Sequence, residues 1–372
     1  MGKNVLVFRM VMPFKSEVFI REQAGNMSNF QVSYICRDLI GDFGGTVCSI
    51  PAEKKTQRYL FTLLRQSLLL KRFSEKKQAS IIHAHFLPDA VMILPIAKQL
   101  GLPLIATSHG FDSQMSRCSQ LKTLKPTNIQ FLLHEQSLYR EATSFIAVSN
   151  FIRGKMIDRG VAPEKIYTHY IGVDTKKFNL CDIEGRFVLN VSRHVKWKGI
   201  DVLLRAFAKT PQDWKLIQIG AGPETEALQQ LTKELNIQDR VQWLGAQDHS
   251  EVIRLMRECA VYVQASLPDS NGQTEGFGMV LLEAAASGVP VIASRSGGMP
   301  EAMVENETGF LFEPGDAEEL SLKLNHMLAL DTYSRRAIGL AGRHFAETLD
   351  IRSQAIKLEK IYDETISKFK SR

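Results

Sequence analysis

Two cationic side chains follow an apolar segment in the sequence VLNVSRHVKWKGID. Arg193 directly ends the segment, Lys198 comes shortly after it, and Gly199 precedes a helical pattern. A guanidinium binds oxygens through its planar fork and an ammonium supplies a compact charge, so both suit a pyrophosphate. The residues therefore predict an anion site at a strand-to-helix corner, although a solvated basic loop has the same composition.

A second loop, TEGFGMVLLEA, carries two carboxylates. Glu275 precedes the glycines Gly276 and Gly278, and Glu283 follows within the predicted helix. The glycines let backbone amides approach a ligand, and a helix N-terminus favours negative charge there. A carboxylate beside a phosphate is suited to accept hydrogen bonds from sugar hydroxyls. The loop predicts a ligand with both phosphate and sugar, whereas the alternative for Glu283 is an exposed glutamate.

Histidines mark a further site in the first half of the chain. His109 follows the apolar segment LPLIAT and precedes Asp112, a position where a structural histidine is as well explained as a functional one. His83 and His85 alternate in SIIHAHF, with Asp89 beyond them. Two histidines and a carboxylate could bind a metal ion, but side chains lining a strand end give the same pattern, and we favour that interpretation.

Two series of short apolar runs must position these residues. The chain has 372 residues, 44% of them apolar and 23% charged, which predicts two globular domains. The runs from NVLVF to SFIAVS and from RFVLNVSR to GFLF alternate with helical patterns, as in parallel sheets covered by helices. We expect two doubly wound α/β domains, residues 1–183 and 184–372, with helices from Asp316 onward and the last one packing back on the first domain. Ligands of such sheets bind at the carboxyl ends of the strands.

Charge and hydropathy narrow the class of partner. Residues 1–183 hold 24 Lys and Arg against 14 Asp and Glu, a net +10, and residues 184–372 hold 22 against 26, a net −4. The basic excess is dispersed and lacks an aromatic-basic signature, so it favours phosphates or an anionic membrane over nucleic acid. No apolar run approaches the roughly 20 residues that span a bilayer, and the opening segment lacks a signal-peptide cleavage region. We expect a cytoplasmic location, with peripheral contact at the inner face of the membrane.

The C-terminal motifs, in their order and spacing, resemble those of the retaining GT-B glycosyltransferases of family 4, also called glycosyl transferases group 1. They are SRxxxxKG from Ser192 to Gly199, the E-x7-E pair in EGFGMVLLEA, and GGxxE from Gly297 to Glu301. HAHFLPDA, TSHGFD, AVSNFIRGKM and IGVDTKKF support the same family more loosely. The segment MVMPFKSEVFIREQ replaces the glycine-rich loop of many relatives and resembles the P-x-SE-F-I-x-E variant of members that build extracellular polysaccharides.

This resemblance implies an α/β GT-B fold, two tandem Rossmann-like domains that face each other across a cleft. The second would bind the nucleotide sugar, with Arg193 and Lys198 on its diphosphate, Glu283 on the ribose and Glu275 on the sugar. Further donor contacts are implied at Ser192, Gly276, Phe277, Gly278 and Met279. His109 would reach the donor from the first domain, where Ser16, Glu17 and Asp112 are the candidate acceptor contacts.

The resemblance further implies transfer of a hexose to a glycan or lipid-linked saccharide with retention of configuration. UDP-glucose is the preferred donor, and GDP-mannose and UDP-galactose stay open. No D-x-D triplet occurs, so we expect no metal cofactor, and fixed cations would stabilise the leaving diphosphate. A nucleotide-sugar epimerase is the alternative enzyme, and a non-catalytic sugar-phosphate binding protein would share every binding residue. A dehydrogenase should carry an intact G-x-G-x-x-G fingerprint, which the chain lacks.

Residues 53–78 combine apolar and basic positions. Leucines and Phe61 recur at helical spacing among eight cations and two glutamates. This is the pattern of a helix in an anionic membrane interface, and equally of a helix that covers the first sheet with its cations in water. The membrane hypothesis places a lipid-linked acceptor near Ser16, Glu17 and His109.

Overall fold

A computed structural model of the chain describes residues 2–12, 18–41, 45–180 and 185–371. The chain divides into two compact units, which we describe separately. Unit 1 comprises Met1–Gly172 with Ile351–Arg372, and unit 2 comprises Val173–Asp350. The predicted boundary between residues 183 and 184 lies outside the described residues. In the structure, the chain passes from unit 1 to unit 2 between Gly172 and Val173.

Unit 1 is built on a parallel sheet. Within the described residues its seven strands lie in the order β3-β2-β1-β4-β5-β6-β7. The strands are β1 Lys3–Met12, β2 Phe30–Leu39, β3 Val47–Ser49, β4 Ile81–His85, β5 Leu104–Ser108, β6 Ser144–Ala147 and β7 Ile166–Thr168. Central strands such as β4 and β5 are buried along their whole length, because helices cover both faces of the sheet.

The helices of unit 1 fill the connections between these strands. They are α1 Val18–Gly25, α2 Lys55–Leu64, α3 Leu68–Lys76, α4 Leu87–Leu100, α5 Phe111–Gln114, α6 Arg117–Lys122, α7 Pro126–Glu141 and α8 Asn150–Asp158. Helix α4 shows why a mostly apolar segment became helical rather than extended. It is too long for a strand, begins with Pro88 in its first turn and ends at Gly101 in the left-handed conformation.

Unit 2 repeats the architecture with six strands among the described residues, in the order β10-β9-β8-β11-β12-β13. The strands are β8 Phe187–Val191, β9 Lys215–Ile219, β10 Val241–Gly245, β11 Val261–Gln264, β12 Val291–Ser294 and β13 Gly309–Phe312. The helices are α9 Ile200–Phe207, α10 Thr225–Glu234, α11 His249–Glu258, α12 Met279–Ala286, α13 Ala317–Ala329 and α14 Thr332–Thr348. Every apolar run identified in the sequence forms a strand, which confirms the predicted α/β fold class.

The last helix, α15 Ile351–Lys370, belongs to unit 1. Its Glu359 is almost completely buried and accepts hydrogen bonds from the backbone amides of Ser28, Asn29 and Phe30 at 2.6 to 3.2 Å. These bonds satisfy both a buried carboxylate and the amides at the start of β2. They fasten the C-terminal helix to the sheet of unit 1.

Chain crossovers define a preferred ligand position in each sheet. In unit 1 the strand order runs outward in opposite directions from the neighbouring strands β1 and β4, and in unit 2 from β8 and β11. We call each of these strand pairs the switch point of its sheet. Ligands of open parallel sheets bind beyond the carboxyl ends of such strand pairs. The loops after β8 and β11 contain the predicted anion site and Glu275. No helix within the described ranges is long and apolar enough to cross a membrane.

Candidate functional site

The loop after β8 positions Lys198 against the end of β11. Lys198 closes a short 3-10 turn, Lys196–Lys198, and Gly199 then adopts φ +62° before α9. A Cβ atom at Gly199 would lie 1.9 Å from the carbonyl oxygen of Ala265. Only glycine tolerates both this conformation and this approach, so the turn is held next to the residues that follow β11.

Lys198 and Glu275 form an ion pair at this position. The carboxylate oxygen Oε1 of Glu275 also accepts hydrogen bonds from Gln264 Nε2 at 2.6 Å and Ser266 Oγ at 3.0 Å. The two charged side chains are only 15% and 13% exposed. Three donors thus converge on one oxygen, and among the described residues none donates to Oε2. The second oxygen faces no competing protein donor and is suited to accept a hydrogen bond from a ligand hydroxyl.

The loop after β12 packs directly on the backbone of Glu275. Gly298 donates its amide to the carbonyl oxygen of Glu275 at 2.9 Å. A Cβ atom at Gly297 would lie 2.1 Å from that same oxygen, and its φ is +62°. Gly297 is therefore required for close packing between two strand-end loops, which fixes the backbone that carries Glu275.

Helix α12 begins beside Glu275, with Gly278 as its N-cap at φ +101°. The first amides of an α-helix have no carbonyl one turn earlier to bind, so those of Met279 and Val280 are suited to bind an anion. Glu283 lies within α12, is 18% exposed, and approaches His249 Nε2 at 3.5 Å. It is thus neither freely exposed nor fully enclosed, and its carboxylate remains accessible from solvent.

Arg193 and Ser192 have different environments. Ser192 is buried and donates its hydroxyl to Asn190 Oδ1 at 2.7 Å, while Asn190 donates to the carbonyl oxygen of Val263. Arg193 is exposed at the end of β8 and makes no ion pair with another residue in the described part of the chain. The structure therefore leaves the Arg193 guanidinium available to a ligand, in contrast to Lys198.

In unit 1, His109 lies at the carboxyl end of β5 against His85. The two rings are stacked at 5.2 Å, and His109 Nε2 is 3.0 Å from His85 Nδ1. Burial, followed by the charge of Arg9, holds the pKa of His109 well below its ordinary value, so the ring is neutral at pH 7. Its buried Nδ1 has no hydrogen-bond partner among residues 2–12, 18–41, 45–180 and 185–371. One nitrogen of this neutral imidazole is thus not used by the described residues.

Asp112 is fully buried beneath this histidine loop. Its carboxylate accepts hydrogen bonds from the amide of Leu87 at 2.7 Å, the hydroxyl of Ser108 at 2.7 Å and the amide of Gly110 at 3.2 Å. These contacts make Asp112 a positioning residue for the loop of His109, and its predicted contact with an acceptor stays a prediction. The other acceptor candidates, Ser16 and Glu17, lie outside the described residues.

The alternative metal site at His83 and His85 is not formed by these side chains. His83 is 2.6 Å from Tyr362 through Nδ1 and 2.6 Å from Thr107 through Nε2. Asp89 forms a buried ion pair with Arg9. Across the described ranges no group of three or more His, Cys, Asp or Glu is arranged to hold a metal ion. Both ring nitrogens of His83 are within hydrogen-bond distance of neighbouring side chains in the buried interior of unit 1.

Gln264 and Ser266, which hold the Glu275 carboxylate, were not predicted as site residues. A detectable signal was present, because Gln264 is a polar residue at the carboxyl end of the otherwise apolar strand VYVQ. A polar residue at the carboxyl end of a strand at the switch point is a candidate site residue in the same way as a charged one. The buried Arg9 and Asp89 pair was also missed, and only the pairing of β1 with β4 brings it together.

Comparison with known proteins matches both halves of the chain to glycosyltransferase families. The model for Glycosyltransferase Family 4 matches residues 17–177, and that for Glycosyl transferases group 1 matches residues 174–345. The chain is 29% identical to N-acetyl-alpha-D-glucosaminyl L-malate synthase of Bacillus anthracis, over 65% of this chain and 64% of that protein. It is 24% identical to the putative colanic acid biosynthesis glycosyltransferase WcaL of Salmonella typhimurium, over 71% of this chain and 65% of that protein. The chain thus spans just under two thirds of the length of these two relatives.

A solved structure extends the likeness to the entire fold. The Anabaena protein Alr3699/HepE, crystallised in complex with UDP and glucose, matches 98% of this chain and 100% of its own with a TM-score of 0.77 and 20% identity. At this identity the likeness concerns the fold. It confirms the two-domain GT-B architecture that the motifs predicted.

Proposed function

This chain belongs to the family 4 glycosyltransferases, and from that premise we propose that it transfers a hexose from a nucleotide sugar to a glycan or lipid-linked saccharide. The observation that carries the proposal is the Lys198 and Glu275 pair at the switch point of unit 2. A cation for phosphate and a carboxylate for sugar hydroxyls stand side by side there. The α12 N-terminus follows directly in the chain.

In the proposed mechanism, Lys198 and Arg193 neutralise the diphosphate of the donor. Cleavage of the glycosidic bond places negative charge on the departing nucleoside diphosphate, so fixed cations and oriented amides lower the barrier. Lys198 is already immobilised by Glu275, which reduces the reorganisation needed when the leaving group forms. Arg193 is exposed and supplies a second charge once the donor binds.

Glu275 accepts hydrogen bonds from hydroxyls of the donor sugar, and Glu283 from the ribose. Three donors already hold Oε1 of Glu275, an arrangement suited to a hydroxyl acceptor rather than to a nucleophile that forms a covalent intermediate. We therefore propose retention by reaction at the donor's front face, with the leaving phosphate helping to deprotonate the acceptor. His109 contacts the donor from unit 1 as a neutral imidazole.

UDP-glucose is the donor that we propose first. The support is that a structural neighbour was solved with UDP and glucose. Its match covers 98% of this chain and therefore includes the C-terminal domain. GDP-mannose is the second candidate, and a nucleotide-sugar epimerase is the alternative reaction. The relative WcaL, named for colanic acid biosynthesis, supports a role in making an extracellular or envelope polysaccharide.

Turnover of UDP-glucose tests the reaction and its cofactor requirement together. We expect release of UDP that depends on added acceptor and continues in excess EDTA, because Arg193 and Lys198 supply the counter-charge that a metal ion would otherwise give. Product analysis should show a new glycosidic bond. An interconverted nucleotide sugar would instead establish the epimerase, and loss of turnover in EDTA with rescue by magnesium or manganese would contradict metal independence.

We also propose that residues 53–78 contact an anionic membrane, with a correction to the predicted geometry. The segment forms two helices, α2 and α3, because Arg65 adopts the left-handed conformation between them. Phe61 recurs with the leucines in the sequence pattern, but it is fully buried in unit 1 and cannot contact a membrane. The exposed apolar side chains are instead Tyr59, Leu60, Leu63, Leu64, Leu68 and Leu69. We call these six residues the leucine patch, and the same two helices also carry cations, among them Lys71, Arg72 and Lys76.

Sedimentation with liposomes tests this contact. We expect the protein to pellet with vesicles that contain anionic lipid, less so at high salt, because salt screens the exposed cations. Changing Lys71, Arg72, Lys76 and Lys77 together to Gln should abolish most of the binding. The matched control changes Lys209, Lys215, Lys233 and Arg257 of unit 2 to Gln, which removes the same charge and should leave binding intact. Wild-type protein that stays in the supernatant with anionic vesicles at low salt would show that the patch is not a membrane contact.

A further inference from the structure

A cavity of about 550 Å³ lies in unit 1 beside α2, away from the histidine loop. Its wall combines charged and apolar side chains from the end of β2, from α2 and from the start of α7. The lining residues are Arg37, Asp38, Lys55, Arg58, Tyr59, Thr62, Leu63, Pro126, Ile129 and Gln130. The proposed transferase mechanism uses none of them, so the cavity requires its own explanation.

The charged part of the cavity is an arginine pair held by one carboxylate. Arg37 Nε donates to Asp38 Oδ2 at 3.0 Å, and Arg58 forms an ion pair with Asp38 Oδ1. Arg37 also donates to Thr62 Oγ1 at 2.8 Å, which fixes its guanidinium. With Lys55 in the same wall, three cations face a single carboxylate. The lining therefore carries a net charge of +2, which favours a bound anion.

One donor of this pair is left unsatisfied. The Nε atom of Arg58 is buried and has no hydrogen-bond partner among the residues that the structure describes. An unpaired buried donor on a charged group is costly, and an anion that reached this atom from the cavity would remove that cost. Asp38 holds one guanidinium group on each of its two carboxylate oxygens, and two neighbouring guanidinium groups suit the several oxygens of a phosphate.

The remaining wall is apolar and continues onto the protein surface. Leu63, Pro126 and Ile129 face the cavity, and Tyr59 borders it. Tyr59 and Leu63 are 66% and 48% exposed and belong to the leucine patch. The anion site thus opens directly onto a hydrophobic surface, which a small inorganic anion would not need. A ligand with a phosphate at one end and a hydrocarbon chain at the other matches both parts.

The location of the cavity also relates it to the proposed reaction. Arg37 and Asp38 lie at the carboxyl end of β2, and His109 follows the carboxyl end of β5 at the same edge of the sheet. Strands β1 and β4 separate β2 from β5, so three interstrand spacings of about 4.8 Å place these two strand ends roughly 14 Å apart across the sheet. That distance suits a saccharide joined to a phosphate.

We propose that this cavity binds the phosphate group of a lipid phosphate ester, with the hydrocarbon chain on the leucine patch. Arg37, Arg58 and Lys55 contact the phosphate oxygens, and Asp38 orients the guanidinium groups. The further role of this cavity as the acceptor site for glycosyl transfer rests on the proposed function. Binding of the lipid phosphate ester itself requires neither a nucleotide sugar nor turnover.

Calorimetric titration of the full chain with geranyl phosphate tests the proposal without turnover. Geranyl phosphate should bind saturably and more tightly than inorganic phosphate, and geraniol should not bind. Arg37→Gln and Arg58→Gln should each weaken binding about 10-fold or more, the scale of losing a charge-assisted hydrogen bond. Arg140→Gln, at an exposed arginine on α7, is the matched control and should bind as the wild type does.

A second variant keeps the test decisive if an arginine change disturbs folding. Ile129→Trp fills the cavity without altering charge and should reduce binding of geranyl phosphate to a similar extent. Unchanged binding in both arginine variants, or equal affinity for geranyl phosphate and inorganic phosphate, would overturn the proposal. Because the readout is independent of UDP-glucose, failure here leaves the transferase proposal intact, and failure of transfer leaves the binding site intact.

Discussion

Lys198→Ala should lower kcat/KM for the nucleotide sugar about 100-fold or more, the effect expected when a group that stabilises transition-state charge is removed. Lys198 sits beside Glu275 and is 15% exposed, so solvent cannot readily replace its charge. The loss should appear chiefly in kcat, since charge on the diphosphate grows as the glycosidic bond breaks. Steady-state kinetics with UDP-glucose measures both constants.

Lys196 provides the matched control for this substitution. It lies in the same 3-10 turn, is 72% exposed and pairs with Asp201 rather than with Glu275. Lys196→Ala should leave kcat/KM within about 3-fold of wild type, because a solvated surface charge contributes little. Arg193→Ala should resemble Lys198→Ala in kinetics. Near-normal activity of either site variant, in protein that melts like the wild type, would remove that residue from the mechanism.

Glu275→Gln should reduce kcat about 100-fold while changing the Kd for UDP by less than about 3-fold, because it alters the sugar contacts while its amide oxygen can still accept from Lys198 and keep that ammonium at the diphosphate. The amide oxygen of glutamine can still accept from Gln264 and Ser266 in the place of Oε1. The amide nitrogen would then replace Oε2, so an acceptor for the sugar hydroxyls becomes a donor.

The variant Glu283→Gln distinguishes an effect on the sugar contacts from an effect on nucleotide binding. If Glu283 binds the ribose, this variant should raise the Kd for UDP more than it lowers kcat, the reverse of the Glu275 variant. Kinetics and calorimetric titration with UDP give both quantities for both proteins. A parallel fall in UDP affinity and turnover in Glu275→Gln would show that the assigned division of roles is wrong.

Several of these features were accessible from the sequence. Apolar runs of strand length, bounded by helical patterns, predicted both sheets, because strands buried on two faces need apolar side chains on both. The loops that carry Arg193, Lys198 and Glu275 could be placed at strand ends because each follows such a run directly. Glycines at 199 and 297 were visible as motif residues, while their close approach to Ala265 and Glu275 was not.

The tertiary structure decided what surrounds those loops. Gln264, Ser266 and Lys198 meet on one oxygen of Glu275 only because β8 and β11 are neighbours in the sheet, and sequence spacing does not encode strand order. For the same reason, the ion pair between Arg9 and Asp89 could not be predicted from the sequence. A pattern identifies what a local segment can become, whereas contacts between distant segments require the pairing of strands.

Residues 53–78 show this division within one segment. Their sequence determined that apolar and basic side chains would alternate at helical spacing, since that period follows from the order of residues alone. The packing of unit 1 decided that Phe61 is enclosed while Leu60 and Leu64 face solvent, and that the helix breaks at Arg65. It also brought Arg58 to Arg37 and Asp38 of β2. Burial depends on which distant surface covers a residue, and therefore only the folded chain determines it.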